Sequence, residues 1–463
     1  MGTAAERTDL SDAPSSARRR DLAGAATPLF FAAIAIALIV AAVLRAPLSW
    51  DGSFYFFQML DRQWWFIAQP HRWINYALQA PTLLAMRFTL NFPILILIFS
   101  LSYASPAIIG VALSWLVCRK RPELFIWPAI GIGIVTLPGI LNFNSEATMT
   151  APLFWPVLLA ALIGVTPIEF IFVALLALSM LIVHPNALSV LALGTVAAIV
   201  SATIPPHKPA RLMGGIALCA LTVIRLVIPL TPYEEKQLVG FSISKAFEYG
   251  IAGPQLVGLL CAFVAAGLIL FREPLRNSTR LPLDLLSAVS ILAAGVVLTA
   301  WAINPAAWSG EMESRFWMVP MSLLMMGACA LDAWFNAPSA ASLHRRQLLL
   351  LPTGAVFLIV LSVQSLVWNQ LTNRLLADLS DGCYSRESIA WTLQTAMDHW
   401  SIAAYVIDLQ GRTPNRLLLD AGACSEFAFD GTLHIIWMHR KRGEGWFDFD
   451  EVPIERARPP WQR

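Results

Sequence analysis

Long apolar runs alternate with short polar segments along most of the chain. A membrane-spanning helix needs about 20 consecutive apolar residues, and runs close to that length recur from residue 26 onward. The pattern predicts eleven spans. We place them at residues 26–45, 93–117, 124–141, 152–166, 168–183, 187–204, 213–230, 255–271, 282–302, 317–334 and 348–368.

The segment between the first two runs has a different pattern. Residues 50–66 are crowded with aromatic side chains, and the stretch from His71 to Phe88 has apolar residues at helical spacing. These apolar residues are Ile74, Ala77, Leu78, Pro81, Leu84 and Ala85. Both patterns favour helices that lie in a membrane interface. We therefore predict two interfacial helices, with His71, Arg72 and Arg87 facing lipid headgroups.

The pattern changes again after residue 368, where charged residues, Gly-containing turns and alternating apolar positions appear. It predicts a small α/β domain over residues 369–463, which either recognises an acceptor or serves as a lid or packing module. A helix is expected from Ser388 to Trp400. Strands are expected at residues 403–409, 416–419 and 432–439.

Composition supports a membrane protein. Of the 463 residues, 57% are hydrophobic and 13% are charged, whereas a soluble domain has about 25% charged residues. The predicted fold class is therefore an all-α polytopic membrane protein over residues 26–368, with about eleven transmembrane helices and the small α/β domain outside the membrane. Residues 1–25 are polar and rich in Ala, and we expect a disordered cytosolic tail there rather than a signal peptide.

The basic residues orient the spans. Cytoplasmic loops carry an excess of Lys and Arg, and five clusters fall on one side of the predicted topology. They are Arg18 to Arg20, Arg119 to Arg121, Lys208 with Arg211, Arg272 with Arg276 and Arg280, and Arg345 with Arg346. This arrangement predicts a cytoplasmic N-terminus and a periplasmic C-terminus in a bacterial inner membrane. Because the basic residues are dispersed and the net charge is only +2, no nucleic-acid partner is expected.

The long polar segments lie on the predicted outer side, at residues 46–92, 231–254, 303–316 and beyond 368. Functional residues concentrate on loops held by a rigid scaffold, so we expect chemistry at the outer face. ATP and nucleotide-sugars are not available there. A lipid-linked substrate or a gradient would have to supply the energy.

The first outer segment resembles that of the GT-C glycosyltransferases, which include protein O-mannosyltransferases and lipid A aminoarabinose transferases. The resemblance rests on Asp51, placed directly after the first span and followed by two surface helices in one long outer loop. Two further stretches are similar to family patterns. One is the turn around Glu146 before the fourth span, and the other is Arg315-Phe-Trp-Met-Val-Pro320 at the start of the tenth. The resemblance covers residues 26 to about 335.

The resemblance implies an inverting transferase that moves a sugar from a polyprenyl-phosphate donor to a lipid, glycan or protein acceptor. It implies that Asp51 is the catalytic base, that Arg315 holds the lipid phosphate, and that Glu146 belongs to the site. Many family members have a second acid directly after the first, but this chain has Gly52. That difference leaves open how the acceptor is held and whether a divalent metal assists, and we predict no metal-ligand set.

Each assignment has a structural alternative. Asp51 and Glu146 would serve as helix caps, and Arg315 would be a flanking charge that reaches to the headgroups. Three further residues are candidates for contacts with sugar or phosphate: His184 and Asn186 in a polar turn at the outer end of the fifth span, and Arg225 inside the seventh. Without such contacts, His184 and Asn186 would form a hydrogen-bonded turn and Arg225 would contact headgroups. The residues from Tyr233 to Lys236 are expected to form a solvated face.

The sequence leaves several functions open. A transporter or flippase would show internal repeats and midplane polar sites, but the chain has no convincing repeat and its ionisable residues gather at the outer ends of spans. A surface-polysaccharide ligase or polymerase is a third possibility, and a non-enzymatic scaffold is a fourth.

Cys383 and Cys424 lie in the polar C-terminal region, where an extracytoplasmic location would permit a disulfide, although sequence alone does not show that they are close.

Overall fold

A computed structural model of the protein describes residues 13–67, 72–139, 143, 145–204, 209–232, 234–236, 253–272, 275, 282–308, 311–336, 339–385, 399–419, 422–435, 438–441, 443–450 and 452–453. Helices dominate these residues. They are α1 (Ala13–Val43), α2 (Asp51–Arg62), α3 (Ile74–Ala85), α4 (Phe92–Val117), α5 (Ile126–Thr136), α6 (Glu146–Ile163), α7 (Pro167–Val183), α8 (Ala187–Thr203), α9 (Pro209–Val227), α10 (Gly253–Leu270), α11 (Leu283–Ala302), α12 (Glu311–Phe335), α13 (Ala340–Asp378), α14 (His399–Gln410) and α15 (Ala423–Asp430). The four strands are β1 (Gly382–Ser385), β2 (Arg416–Leu419), β3 (Thr432–Ile435) and β4 (Met438–Lys441).

Each predicted span contains a helix, but not every helix has the length and apolarity of a span. Within the described residues, six stretches meet both conditions: Gly24–Val43, Phe92–Lys120, Glu146–Ile163, Gly253–Leu270, Leu283–Ala302 and Ala340–Asp378. Helix α5 has 11 residues, about 16 Å at 1.5 Å per residue, which is half the hydrocarbon thickness of a bilayer. The architecture is thus that of an all-helical multi-pass membrane protein, with six candidate spans rather than a demonstrated eleven.

The centre of the bundle is formed by α5 and α6. Every residue of α5 is buried, as is 83% of the apolar window of α6. Small residues let the helices approach closely, as in membrane helix pairs. A Cβ atom on Gly110 of α4 would lie 2.2 Å from the carbonyl oxygen of Pro152 in α6, and one on Gly131 of α5 would lie 2.3 Å from the Trp155 ring. Helices α4, α5 and α6 therefore form a rigid support for any site at their ends.

The outer helices pack in pairs around this centre. Helix α1 lies against α13, α8 against α9, and α10 against α11. Their outward faces and that of α7 carry exposed apolar side chains, including Ile168, Phe170, Leu226 and Val296. A belt of exposed apolar residues around a helical bundle is the surface expected of a protein surrounded by lipid.

Three sequence expectations about the N-terminal part need correction. Helix α1 begins at Ala13, so the predicted disordered tail of residues 1–25 is partly helical; residues 1–12 lie outside the described part. Helix α2 does not lie on the surface, because every residue from Gly52 to Asp61 is buried. Helix α3 has a polar side and an apolar side, but it is the polar side that is buried in the protein. Its polar residues Asn75, Gln79 and Thr82 are buried, and of the predicted apolar stripe only Leu78 is.

The C-terminal region contains both helices and strands. Strands β1 and β2 are parallel and follow one another through α14, and β3 and β4 form an antiparallel hairpin. The prediction of a strand at residues 416–419 is confirmed. The predicted strand at 432–439 is instead two strands, and most of the predicted helix at 388–400 lies outside the described residues.

Residues 403–409 form part of α14 and not a strand. The residues from Ile402 to Ile407 are all buried, so the stretch has no polar side and no strand-like alternation. A continuously apolar run of this length is compatible with a buried strand or a buried helix, and periodicity alone does not distinguish them. Packing against α2 and β2 makes this one a helix.

A disulfide joins the two cysteines of this region. Cys383 in β1 and Cys424 in α15 are bonded, with 5.7 Å between their Cα atoms. The bond closes a segment that includes α14 and β2, and it ties the parallel strand pair to α15.

The C-terminal region also covers α2. The Phe447 ring stacks on Phe57 at 4.8 Å, and the Trp446 ring stacks on Phe92 at 5.1 Å. The backbone N–H of Trp446 donates to the Asp61 carboxylate at 3.1 Å. Because α14 packs on α2 as well, the C-terminal region fixes the position of the helix that begins with Asp51.

Asp408 in α14 gives a prediction about pH. Its side chain is fully buried, and neither carboxylate oxygen has a hydrogen-bond partner among the described residues. Burial raises the pKa of this carboxyl well above its usual range. The unfolded chain releases the proton near pH 4 and the folded protein retains it, so the free energy of unfolding falls as pH rises above about 4.

Asp408→Asn is therefore expected to raise the melting temperature at pH 7 by at least about 2 °C and to change it little near pH 4. Thermal unfolding of the purified protein at both pH values measures this. Asp378→Asn is the control, because the side chain of Asp378 at the end of α13 is 47% exposed. An equal shift at both pH values would contradict a buried neutral acid at position 408.

Candidate functional site

Asp51 is the first residue of α2, and the chain reaches it through an unusual turn. Helix α1 ends at Val43, Arg45 then has a left-handed φ of 64°, and a short 3-10 turn leads to Trp50 with φ 51° and ψ −124°. Such a conformation is strained for a bulky side chain, and strained backbone is concentrated at functional sites. Asp51 is half-buried, and the positive end of the helix dipole favours a negative charge there.

Glu146 begins α6 and is the centre of a buried polar network, with 2% of its surface exposed. The hydroxyl of Tyr55 donates to Oε1 at 3.1 Å, and Nδ2 of Asn75 donates to the same oxygen at 2.8 Å. Nη1 of Arg72 donates to Oε2 at 3.1 Å. Both oxygens are thus bound by donors from α2, from α3 and from the segment between these helices. These hydrogen bonds join the first outer segment to α6.

Arg72 links Glu146 to a second acid. Its Nη2 lies 3.3 Å from Oε1 of Glu234, and the side chains of the two acids are only 3% and 9% exposed. Glu234 is itself held by the backbone N–H of Thr231, which donates to Oε2 at 3.0 Å. Burial lowers the pKa of Arg72, but the negative charges of Glu146 and Glu234 outweigh that effect and the pKa is raised. The guanidinium remains charged between the two carboxylates.

Arg72 therefore faces inward, which corrects the predicted headgroup contact. The buried Glu234 likewise corrects part of the solvated face predicted from Tyr233 to Lys236, whereas Glu235 and Lys236 are exposed. Arg87 is exposed, in agreement with its expected orientation, and His71 lies outside the described residues.

A second layer of polar groups orients Asn75. The hydroxyl of Tyr103 in α4 donates to its Oδ1 at 3.0 Å, which leaves Nδ2 directed at Glu146. Gln79, one turn further along α3, donates to the backbone oxygen of Phe66 at 2.7 Å and accepts from its N–H at 2.8 Å. Since each group has a defined partner, the network is rigid rather than a wet surface.

Asp51 is close enough to this polar network to act electrostatically on Tyr55, one of its members. Tyr55 lies one helical turn after Asp51, and burial, Glu146 and Asp51, in that order, raise its pKa well above the usual value. The phenol therefore remains protonated at physiological pH and donates to Glu146. The two predicted acids, Asp51 and Glu146, thus both act on one tyrosine, and one acid is partly accessible while the other is enclosed.

The other predicted site residues are distributed differently. Arg225 in α9 is buried, and its Nε has no hydrogen-bond partner in the described part. His184 and Asn186 form a local turn between α7 and α8, in which the N–H of Asn186 donates to Nδ1 of His184 at 3.2 Å. Arg315 lies in the first turns of α12, and its side chain lies outside the described residues.

The residues that sequence reasoning missed are Tyr55, Arg72, Asn75, Tyr103 and Glu234. One signal was present. Asn75 and Gln79 are polar, lie one turn apart and stand in a helix whose other residues are mostly apolar. Polar residues at such spacing in a membrane-associated helix indicate a buried polar face.

A second buried ion pair lies near the start of α5, where Arg346 contacts Asp332. Nε1 of Trp127 donates to Asp332 at 2.7 Å, and the amide of Asn336 also donates to it. Asp332 is fully buried. A carboxylate that is enclosed and bound by three donors serves to fix helices, so this cluster is structural.

Comparisons with known proteins identify no relative. Neither the models of known families, nor the curated proteins, nor the solved structures give a match to this chain. The class that the fold defines is an all-helical multi-pass membrane protein. In the described residues, no group of three or more His, Cys, Asp or Glu side chains is arranged to hold a metal ion.

Proposed function

We propose that the protein is an inverting glycosyltransferase that moves a sugar from a polyprenyl-phosphate donor to an acceptor at the outer face of the membrane. The observation that carries the proposal is the pair of acids around Tyr55. Glu146 is enclosed and bound by three donors, whereas Asp51 is half-buried at the start of a fixed helix. A site with a single base needs one accessible carboxylate, which would be Asp51. The enclosed Glu146 would hold the surrounding segments in place.

The proposed reaction needs few groups. Asp51 removes the proton from the acceptor hydroxyl while that oxygen attacks the anomeric carbon. The bond between the anomeric carbon and the phosphate oxygen breaks, and the lipid phosphate leaves with the electron pair. Attack from the face opposite the leaving group inverts the configuration. Cations stabilise the departing phosphate, and Arg225 and Arg315 are the candidates. Arg72 is unsuitable because two carboxylates already bind it.

The donor's isoprenoid chain also needs an apolar surface. A pocket between α5, α10, α11 and α13 is lined by apolar residues apart from Thr353. Its lining runs from Ile130 in α5 to Pro138, two residues beyond the end of α5 that leads to α6. The apolar lining would suit a lipid chain, but the pocket has a volume of only about 50 Å³, so it would have to widen to admit an isoprenoid.

The proposal includes an orientation. It assigns a cytoplasmic N-terminus and a periplasmic C-terminus in a bacterial inner membrane, supported by the basic clusters on one predicted side and by the disulfide between Cys383 and Cys424. The acceptor would then be a lipid, glycan or protein that is exposed to the periplasm.

Transfer from a panel of radiolabelled polyprenyl-phosphate sugars tests the proposal. Membranes that contain the protein are expected to move label from at least one donor into an acceptor fraction, with inverted configuration at the anomeric carbon, and membranes without it are not. Retained configuration would contradict a single-base mechanism. Movement of intact donor across the membrane of proteoliposomes, without transfer of label, would favour a flippase instead.

A further inference from the structure

The β3–β4 hairpin brings two histidines into contact. His434 and His439 are directly opposite each other in the strand register, and their ring centroids are 4.3 Å apart. Nδ1 of one ring contacts Nδ1 of the other. His439 is exposed and His434 partly exposed. The hairpin thus presents two imidazole nitrogens to the same point at the protein surface.

An acid orients one of the two rings. Oε2 of Glu426 in α15 lies 3.2 Å from Nε2 of His434, whereas the other nitrogen of that ring contacts His439. A carboxylate at Nε2 keeps the proton on that nitrogen, so Nδ1 of His434 presents a lone pair toward His439. Histidines that bind metal ions usually have such a carboxylate on the other ring nitrogen.

Two imidazole donors define the class of ion. Imidazole suits Zn²⁺, Cu²⁺ and Ni²⁺, whereas Mg²⁺ and Ca²⁺ require oxygen ligands. Zinc binds histidine nitrogen at about 2.0–2.1 Å, which places two nitrogens of a tetrahedral site about 3.3 Å apart. The side chain of His439 is exposed, so its rotamer sets the separation of the two nitrogens. With two protein donors, the remaining positions of the ion are left to water or to a bound partner.

We propose that His434 and His439 chelate a divalent transition-metal ion on the exposed face of the β3–β4 hairpin, and that Glu426 orients His434 for this role. The site is independent of the proposed sugar transfer, since it uses none of the residues around Glu146. Its open coordination positions make it a surface site for exchangeable metal rather than an enclosed structural one.

The test uses the full-length protein, purified in detergent without a polyhistidine tag and stripped of metal. Calorimetric titration with Zn²⁺ is expected to saturate at one ion per chain, and Cu²⁺ is expected to give an electron paramagnetic resonance spectrum with nitrogen coupling. His434→Ala and His439→Ala should each weaken Zn²⁺ binding at least about 10-fold, and Glu426→Gln about 10-fold. Mg²⁺ should not compete.

His344→Ala, at a histidine in α13 far along the chain from the hairpin, is the matched control and should bind Zn²⁺ as the wild type does. Melting temperatures without metal show whether each variant is folded. The proposal is overturned if the wild type shows no saturable binding of Zn²⁺ or Cu²⁺ up to about 1 mM. It is equally overturned if folded His434→Ala and His439→Ala variants both bind with unchanged affinity.

Discussion

Replacing Asp51 by asparagine is expected to lower the rate of sugar transfer at least about 100-fold, because the amide has the shape of the carboxylate but cannot accept the proton of the acceptor hydroxyl. The expectation rests on the proposed function. Asp51 is partly accessible at the start of α2, so the substitution leaves the buried network around Glu146 in place. Initial rates with a donor that the wild type uses provide the measurement.

Glu235→Gln is the matched control, since Glu235 is an exposed acid next to the buried Glu234 in the sequence. It should transfer sugar at the wild-type rate. The melting temperature of Asp51→Asn should stay within a few degrees of the wild type, which separates loss of the base from loss of the fold. Transfer by Asp51→Asn at the wild-type rate would remove this residue from the mechanism and leave it as a helix cap.

The positions of the helices could be predicted from the sequence because apolar runs dominate the chain. The number of spans could not, because a run's length does not show how much of it is surrounded by protein. Residues 124–141 are apolar enough to suggest a span, yet the α-helix there covers only Ile126–Thr136 and is entirely buried. The same limit explains α14, where burial on all sides removes the alternation that separates strand from helix.

The candidate site was predictable in part. Asp51 and Glu146 stand at the ends of apolar runs, where position alone makes a carboxylate notable. Their partners depend on contacts between distant segments. Arg72 and Glu234 are 162 positions apart, and nothing in the sequence pairs one charge with the other. A charge near a predicted interface is equally compatible with a headgroup contact and with a buried ion pair.

The two acids of the candidate site have different surroundings. Glu146 accepts hydrogen bonds from three side chains, so its protonation or movement would break contacts with α2, α3 and Arg72. Asp51 precedes that enclosed cluster and is reached more easily by solvent. A catalytic base must exchange protons with a substrate, whereas a carboxylate that holds segments together must keep its hydrogen bonds. Glu146 is accordingly a positioning residue in the proposed mechanism.

Replacing Arg72 by methionine should lower the free energy of unfolding by about 3 kcal/mol or more, because it removes the cation that two buried carboxylates, Glu146 and Glu234, both bind. Glu146 would retain Tyr55 and Asn75, and Glu234 would retain Thr231, but neither set of donors carries a positive charge. Denaturant titration of the purified protein measures the change. A double variant, Arg72→Met with Glu146→Gln, should lose less stability than the sum of the two single variants, since it removes one of the stranded charges.

Arg87→Met provides the comparison that decides the role of Arg72. Arg87 lies in the same outer segment but its side chain is exposed, so its replacement should change the free energy of unfolding by no more than about 0.5 kcal/mol. If Arg72→Met proves as harmless as Arg87→Met, the guanidinium does not hold Glu146 and Glu234 together, and the headgroup contact suggested by the sequence pattern is the better account. If the loss is large and the double variant recovers part of it, the ion network is what fastens the first outer segment to α6.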